Sequence, residues 1–227
     1  MELLDRPVWS SLASLHAGLA QGDALAKRYR PEINRFASAR DDGDDALAAL
    51  TRLVQPGEPV YVLQVPAIRI PSGLVAGKLA LGVQMVAAAP ITAEAGADEV
   101  IPLGDADAEE MLALATLTQP GPFLRETHRM GRFVGIRIEG RLAAMAGERF
   151  RFPGHTELSG VCTHPDFRGR GLARRLSRHV AAGIAARGDM PFLHAWKTNA
   201  AAIRLYESLG FRLRCEVNVA VLDAIPG

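Results

Sequence analysis

Val161-Cys-Thr-His-Pro-Asp-Phe-Arg168-Gly-Arg170-Gly-Leu-Ala173 carries an apolar run up to a break at Pro165 and then opens a helix through a glycine-rich basic loop. This is chemistry for an anion. A helix start leaves backbone N–H groups without intrahelical partners and carries partial positive charge, so a phosphate or pyrophosphate is stabilised there. Gly169 and Gly171 let the backbone take positive φ and approach a ligand, and Arg168 and Arg170 add charge. The loop lacks the Gly-Lys-Ser/Thr ending of a Walker A motif, and it has no third glycine at the dinucleotide-binding offset.

Upstream of this loop, periodicity predicts a strand over 99–103 and a helix through Met111, Leu112 and Leu114 to Leu117, capped by Asp105 or Asp107. Two strands, 131–138 and 141–150, turn at Glu139-Gly140, and a third runs from His155 to Thr163. Downstream, Leu172, Leu176, Val180 and Ile184 recur at every fourth position, the apolar stripe of a helix over 171–187. A strand over 191–196 follows. Asn199 caps a helix to Leu209, Gly210 supplies its left-handed end, and Phe211 to Val221 alternates as a final half-buried strand. The helix 200–209 carries Asn199-Ala-Ala-Ala-Ile-Arg-Leu-Tyr206-Glu-Ser-Leu-Gly210-Phe211. Seven residues at 100° each return to within about 20°, so Asn199 and Tyr206 share one face.

Arg168-x-x-Gly171-x-Ala173 resembles the acyl-CoA loop of the GNAT superfamily of N-acetyltransferases, written Arg/Gln-x-x-Gly-x-Gly/Ala. The Asn199 segment is similar to that superfamily's Asn-x-x-Ala-x-x-Leu-Tyr-x-x-x-Gly-Phe motif, with Asn199, Ala202, Leu205, Tyr206, Gly210 and Phe211 all in place. The resemblance implies an α/β (α+β) fold. Its central sheet is mixed, with fourth and fifth strands, here 155–163 and 191–196, splayed around acyl-CoA. It further implies a direct transfer, without a metal, from acetyl-CoA to a primary amine of a small molecule, amino acid or peptide. An acyl-CoA-binding module without turnover is the alternative.

Such a transfer needs a deprotonated amine, a polarised carbonyl and a proton for the departing thiolate. Glu157, eleven residues ahead of Arg168, matches the offset of a catalytic glutamate in several superfamily enzymes and is the first choice for the base, with His155 and His164 in reserve. The resemblance assigns Tyr206 as the acid, in contact with the acyl-CoA, and Asn199 to the pantetheine. It places Val161, Cys162 and Thr163 along the pantetheine arm. Arg168, Gly169, Arg170, Gly171, Leu172, Ala173 and Arg174 hold the phosphates. Gly160 suits a bulge, Cys162 reads as a buried small hydrophobe, and His194 and Trp196 read as core residues.

A chain of 227 residues, 48% hydrophobic and 22% charged, with net charge +1, has the balance of a soluble globular protein and gives no support for a nucleic-acid partner. Two cysteines in apolar segments argue against a disulfide framework, and no apolar run suggests a signal peptide or a membrane span, so a cytoplasmic monomer or homodimer is expected. Residues 96–227 are read as the acyltransferase domain and 1–95 as an extension. In that extension a helix carrying Trp9, Leu12, Leu15 and Leu19, a second carrying Leu47, Leu50 and Leu53, and strands 59–65 and 81–88 echo the order seen between 105 and 150. This suggests a degenerate half-copy of the fold that extends the sheet; an unrelated N-terminal cap is the alternative. The acceptor side is expected to involve 116–130 and this extension.

Overall fold

The computed structural model describes residues 2–92 and 99–225, so the expected boundary at 95/96 lies outside the described residues. One mixed sheet of eight strands forms the body. From the C-terminal part come β6 (Ile101–Leu103), β7 (Phe133–Ile138), β8 (Arg141–Phe152), β9 (His155–Thr163), β10 (Met190–Trp196) and β11 (Phe211–Ala224). From the N-terminal part come β4 (Val60–Gln64) and β5 (Leu74–Ala87), whereas β1 (Ala20–Gly22), β2 (Ala26–Tyr29) and β3 (Ala37–Ala39) form a separate small sheet that the sequence pattern does not reveal.

The spatial order is β4-β11-β5-β10-β9-β8-β7-β6. The strands expected at 59–65 and 81–88 are therefore both present, yet they do not pair with each other, because β11 lies between them. The N-terminal segment also does more than extend an edge. β5 is inserted in the sheet, antiparallel to β10 on one side and β11 on the other. It begins at Leu74, ahead of the expected start at 81, so Gly77 lies within the strand.

Among the described residues five α-helices pack on this sheet: α1 (Pro7–Leu12), α2 (Asp44–Leu53), α3 (Ala108–Thr118), α4 (Leu172–Ala186) and α5 (Ala200–Ser208). The predicted stripe of α4 holds: Leu172, Leu176, Val180 and Ile184 are buried, in a core shared with Tyr206 and Phe211. The opposite face of the sheet is covered by Val8 and Leu12 of α1, packed with Tyr29, Phe36, Phe150 and Phe192. The first helix stops at Leu12 rather than continuing to Leu19, and Leu15 is exposed. Between 118 and 130 only a 3-10 turn, Thr127–Met130, forms. Glu139 and Gly140 both take positive φ in the β7–β8 turn, as a tight hairpin requires. In β11 the ladder slips between Leu213 and Cys215, which leaves Leu213 exposed and breaks the expected alternation.

One irregularity positions the site. β9 and β10 pair in parallel only at Met190↔His155, Pro191↔Thr156 and Phe192↔Glu157, and then part. Along β9 a bulge intervenes: Met145 faces Cys162, but Gly147 faces Ser159, so Gly160 and Val161 oppose one residue of β8. Gly160 sits at φ +63°, and a Cβ there would stand 2.9 Å from Phe133 Cε1. β10 meanwhile follows β5 to Trp196↔Gly82. The strands 155–163 and 190–196 are thus splayed, as expected, and residues 158–163 keep an unpaired edge toward the gap.

Candidate active site

Two cavities meet at this gap. The first, about 640 Å³, runs from the splayed strands onto the start of α4. Val161, Cys162 and Thr163 form one wall; Arg168, Gly169, Gly171, Leu172, Ala173 and Arg174 form its floor, and Asn199 closes the side. Gly171, at φ +72°, is the N-cap of α4, and Gly169 has φ +78°. A Cβ at either position would meet nothing within 4 Å, so the space over the loop is open beside the first unsatisfied N–H groups of the helix. Arg168 makes no side-chain hydrogen bond or ion pair among the described residues, whereas Arg174 Nη1 donates to Ser208 Oγ at 2.5 Å. Of the predicted acyl-CoA residues, Arg170 and Tyr206 do not line this cavity; the Arg170 guanidinium lies 5.4 Å from the centre of the Phe167 ring. An open cradle of N–H groups with an unpaired guanidinium fits the phosphates of acyl-CoA.

The second cavity, about 240 Å³, lies deeper, and Thr118, Val161, Asn199 and Ala202 belong to both walls. Asn199 Oδ1 accepts from Ala202 N at 3.1 Å, so it caps α5 while facing the junction. Tyr206 lines the deeper cavity and its ring meets Phe211 edge-on. Its hydroxyl has no hydrogen-bond partner among the described residues. Burial, reinforced by the charges of Glu157 and Cys162, pushes it up to about 12, so it keeps its proton at neutral pH.

Glu157 is fully buried at the narrow end of the splay. Its Oε1 accepts from Arg149 Nη2 at 2.6 Å and from His194 Nδ1 at 2.7 Å; its Oε2 accepts from Arg149 Nε at 2.7 Å and from Phe150 N at 3.3 Å. Burial works to raise this carboxyl, but the Arg149 charge and the hydrogen bonds from Arg149 and His194 outweigh it and hold the group at about 2. Glu157 does not line the deeper cavity. Its partners Arg149 and His194 do, together with Trp196.

His194, which the sequence pattern assigned to the core with Trp196, is therefore a wall residue of the site, and Arg149 is one that sequence reasoning passed over. The available signal was alternation: His194 and Trp196 lie two apart on β10 and share a face, directed where β10 leaves β9. A neutral His194 donates through Nδ1 to Glu157, and Nε2 accepts from Gln84 Nε2 at 3.0 Å; Gln84 Oε1 is already taken by Arg214 Nη1. Burial lowers the His194 pKa below the ordinary imidazole range, and Glu157 offsets part of that. His155 and His164 stand elsewhere: His155 Nδ1 bonds Pro153 O, and His164 Nδ1 accepts from Asp166 N. Burial raises the Cys162 thiol to about 11, the behaviour of a buried small hydrophobe rather than a nucleophile.

A splayed mixed sheet with a glycine loop at a helix start, a bulged fourth strand and a tyrosine on the following helix defines an acyl-CoA-dependent acyltransferase architecture. The comparisons agree. The FR47-like protein family model matches residues 133–220. A crystal structure from Novosphingobium aromaticivorans, described as an acetyltransferase of the GNAT family, is 43% identical over 100% of both chains, with a TM-score of 0.94. This chain belongs to the GNAT family. A GCN5-related N-acetyltransferase from Kribbella flavida shares the fold at a TM-score of 0.65 and 17% identity, covering 100% of this chain and 97% of that one. The [ribosomal protein bS18]-alanine N-acetyltransferase of Salmonella typhimurium is 37% identical over 83 residues. That match spans 35% of this chain and 55% of the relative, about half its length.

Proposed function

We propose that this protein transfers an acetyl group from acetyl-CoA directly to a primary amine of a small molecule, amino acid or peptide. The observation that carries this reading is the junction of the two cavities at Val161 and Asn199, with the Tyr206 hydroxyl unpartnered beside it. The wide groove over Gly169 and Gly171 suits the donor, and the deeper cavity suits the acceptor. The unpaired edge of β9 offers backbone N–H groups to the pantetheine arm and to charge developing on the carbonyl oxygen. Tyr206 gives its proton to the departing thiolate.

Glu157 acts through His194. A carboxylate at about 2 with four donors on its oxygens has little affinity for another proton. The imidazole it holds lines the acceptor cavity, and Nε2 takes a proton once water or the amine replaces the Gln84 N–H. The same saturation of Glu157 favours a second reading, an acyl-CoA-binding module without turnover. The ribosomal acceptor of the Salmonella relative is not carried over, because the likeness covers 35% of this chain.

The deciding experiment follows CoA release from acetyl-CoA over a panel of amines and short peptides, with acetyl-CoA binding measured in parallel by thermal shift. Turnover on an amine that falls by about 10²–10³ in Tyr206→Phe supports the enzyme. Tight acetyl-CoA binding with no turnover on any amine supports the module.

A further inference from the structure

We propose that the acceptor carries an anionic group several bonds from its reacting amine, and that Arg35 and Lys78 recognise it; this deepens the acyltransferase reading and rests on it. The deeper cavity continues outward into a third, about 500 Å³, through a shared wall of Tyr61, Gln119, Gly121, Pro122 and Trp196. Two cations stand in that outer wall, Arg35 from the segment before Phe36 and Lys78 from the inserted strand β5.

Three observations give these cations a ligand-directed reading. Neither Arg35 nor Lys78 forms an ion pair or a side-chain hydrogen bond among the described residues; the polar engagement of Lys78 is with the Trp196 ring, its Nζ 4.9 Å from the centroid. The other arginine in the lining of these two cavities, Arg149, is committed to Glu157. Finally, no Asp or Glu lines either the deeper or the outer cavity, so nothing anionic in the described walls opposes the two charges.

The consequence is a polarised acceptor path. Its inner end, at Val161, Tyr206 and His194, is where an amine meets the donor. Its outer mouth is cationic and faced with Tyr61 and Trp196. An amine whose far end is a carboxylate gains a charge-assisted contact at that mouth. A diamine of the same length places a second ammonium against Arg35 and Lys78 and is disfavoured, so the site selects by repulsion as well as attraction. The mouth is exposed, so screening by salt limits the gain.

Three probes of equal chain length isolate this property: hexylamine, 6-aminohexanoate and 1,6-diaminohexane. Turnover is measured with acetyl-CoA, and binding is measured by calorimetry on protein saturated with CoA. The expected order of kcat/KM is 6-aminohexanoate above hexylamine above the diamine, with about tenfold between the first two at low salt, a preference that arises in KM. In Arg35→Ala/Lys78→Ala the ratio of 6-aminohexanoate to hexylamine falls to about one, and Lys78→Arg restores it. Equal turnover and equal binding of all three probes overturns the anion site while leaving the acyltransferase reading intact. Selective binding of 6-aminohexanoate, lost in the double variant, with no turnover of any probe, upholds the anion site and overturns the acyltransferase reading. Loss of selectivity only in a double variant that has also lost its wild-type melting transition is resolved by Lys78→Glu alone. A ratio of 6-aminohexanoate to hexylamine that falls to about one or below there sustains the proposal, and an unchanged ratio defeats it.

Discussion

His194 Nδ1 and Glu157 Oε1 stand 2.7 Å apart at the point where β9 and β10 separate, and this bond fixes which imidazole nitrogen faces the rest of the site. Glu157 supplies the charge, and His194 supplies the surface. If the two act as one base, Glu157→Gln and His194→Gln each lower kcat/KM by about 10² and the double variant is no worse than either alone. The pH profile separates the roles. Glu157 raises the pKa of His194, so its removal moves the acidic limb of kcat/KM to lower pH. A limb that instead disappears in Glu157→Gln while persisting in His194→Gln makes Glu157 the direct base.

The same pair, with a second buried group, sets the response to acid. His16 is enclosed by Ser11 and Tyr29, and burial, helped by the charge of Arg151, lowers it to about 4. A histidine depressed in the folded state binds its proton more readily when unfolded, so stability is complete above about 6.5 and falls as pH drops toward 4. That linkage predicts a loss of about 2 kcal/mol between roughly pH 7 and pH 5. Glu157, ordinarily 4.5 and about 2 here, adds a further loss, beginning only below 4.5. Urea denaturation at a series of pH values is expected to show both steps, and His16→Gln to flatten the first. An unaltered slope in that variant assigns the acid sensitivity to another group.

The parts of this molecule that were legible in the sequence are those whose signals are local. The loop 168–173 announces itself through glycines that need positive φ, the stripe of α4 through its period, and Asn199 through its capping position. What was not legible depends on partners distant in sequence. Nothing in Leu74–Ala87 says that it lies between β10 and β11, because an apolar strand fits any two neighbours whose faces match. The offset of Glu157 from the loop is visible in the sequence, but its saturation is not, since Arg149 sits on a neighbouring strand and His194 reaches it only where two strands diverge. Segment 116–130 and the N-terminal part come together in space, with Gln119, Pro122, Phe36 and Tyr61 in the lining of the inner cavity.

Tyr206→Phe tests the acid without touching the donor groove. The hydroxyl has no protein hydrogen bond to lose, so the variant is expected to melt with the wild type and to bind acetyl-CoA equally well, while kcat falls by about 10²–10³. With the phenol raised to about 12, the wild-type rate shows no loss from tyrosine ionisation below roughly pH 10. A tyrosine-dependent alkaline limb near neutrality contradicts the assigned role.

Gly160 ties the bulge to donor binding. Alanine there meets both the strain of φ +63° and a 2.9 Å approach to Phe133 Cε1, at a cost of about 1–2 kcal/mol. If β9 relaxes toward regular pairing with β8, the edge that Val161 presents to the gap changes. Gly160→Ala should then weaken acetyl-CoA binding by more than its melting shift accounts for. Binding that follows stability alone confines the bulge to a packing role.

Arg168 and Arg174 line one groove in different states, which makes them a matched test of the phosphate site. Arg174 is already bonded to Ser208, so Arg174→Ala removes a link between α4 and α5 as well as a charge. Arg168 has no such bond to give up. Its replacement by alanine is expected to leave thermal stability within about 0.5 kcal/mol of wild type, as for a surface change that breaks no contact. The acetyl-CoA Kd should nevertheless rise about tenfold through loss of a charge-assisted phosphate contact. The comparison ligand is acetyl-pantetheine, which lacks the pyrophosphate and the 3′-phosphate. If Arg168 serves the phosphates, its removal leaves the Kd of acetyl-pantetheine unchanged, and the difference between the two ligands shrinks with added salt. Equal weakening of both ligands moves Arg168 out of the phosphate site and leaves the loop amides of 169–174 to hold the anion alone.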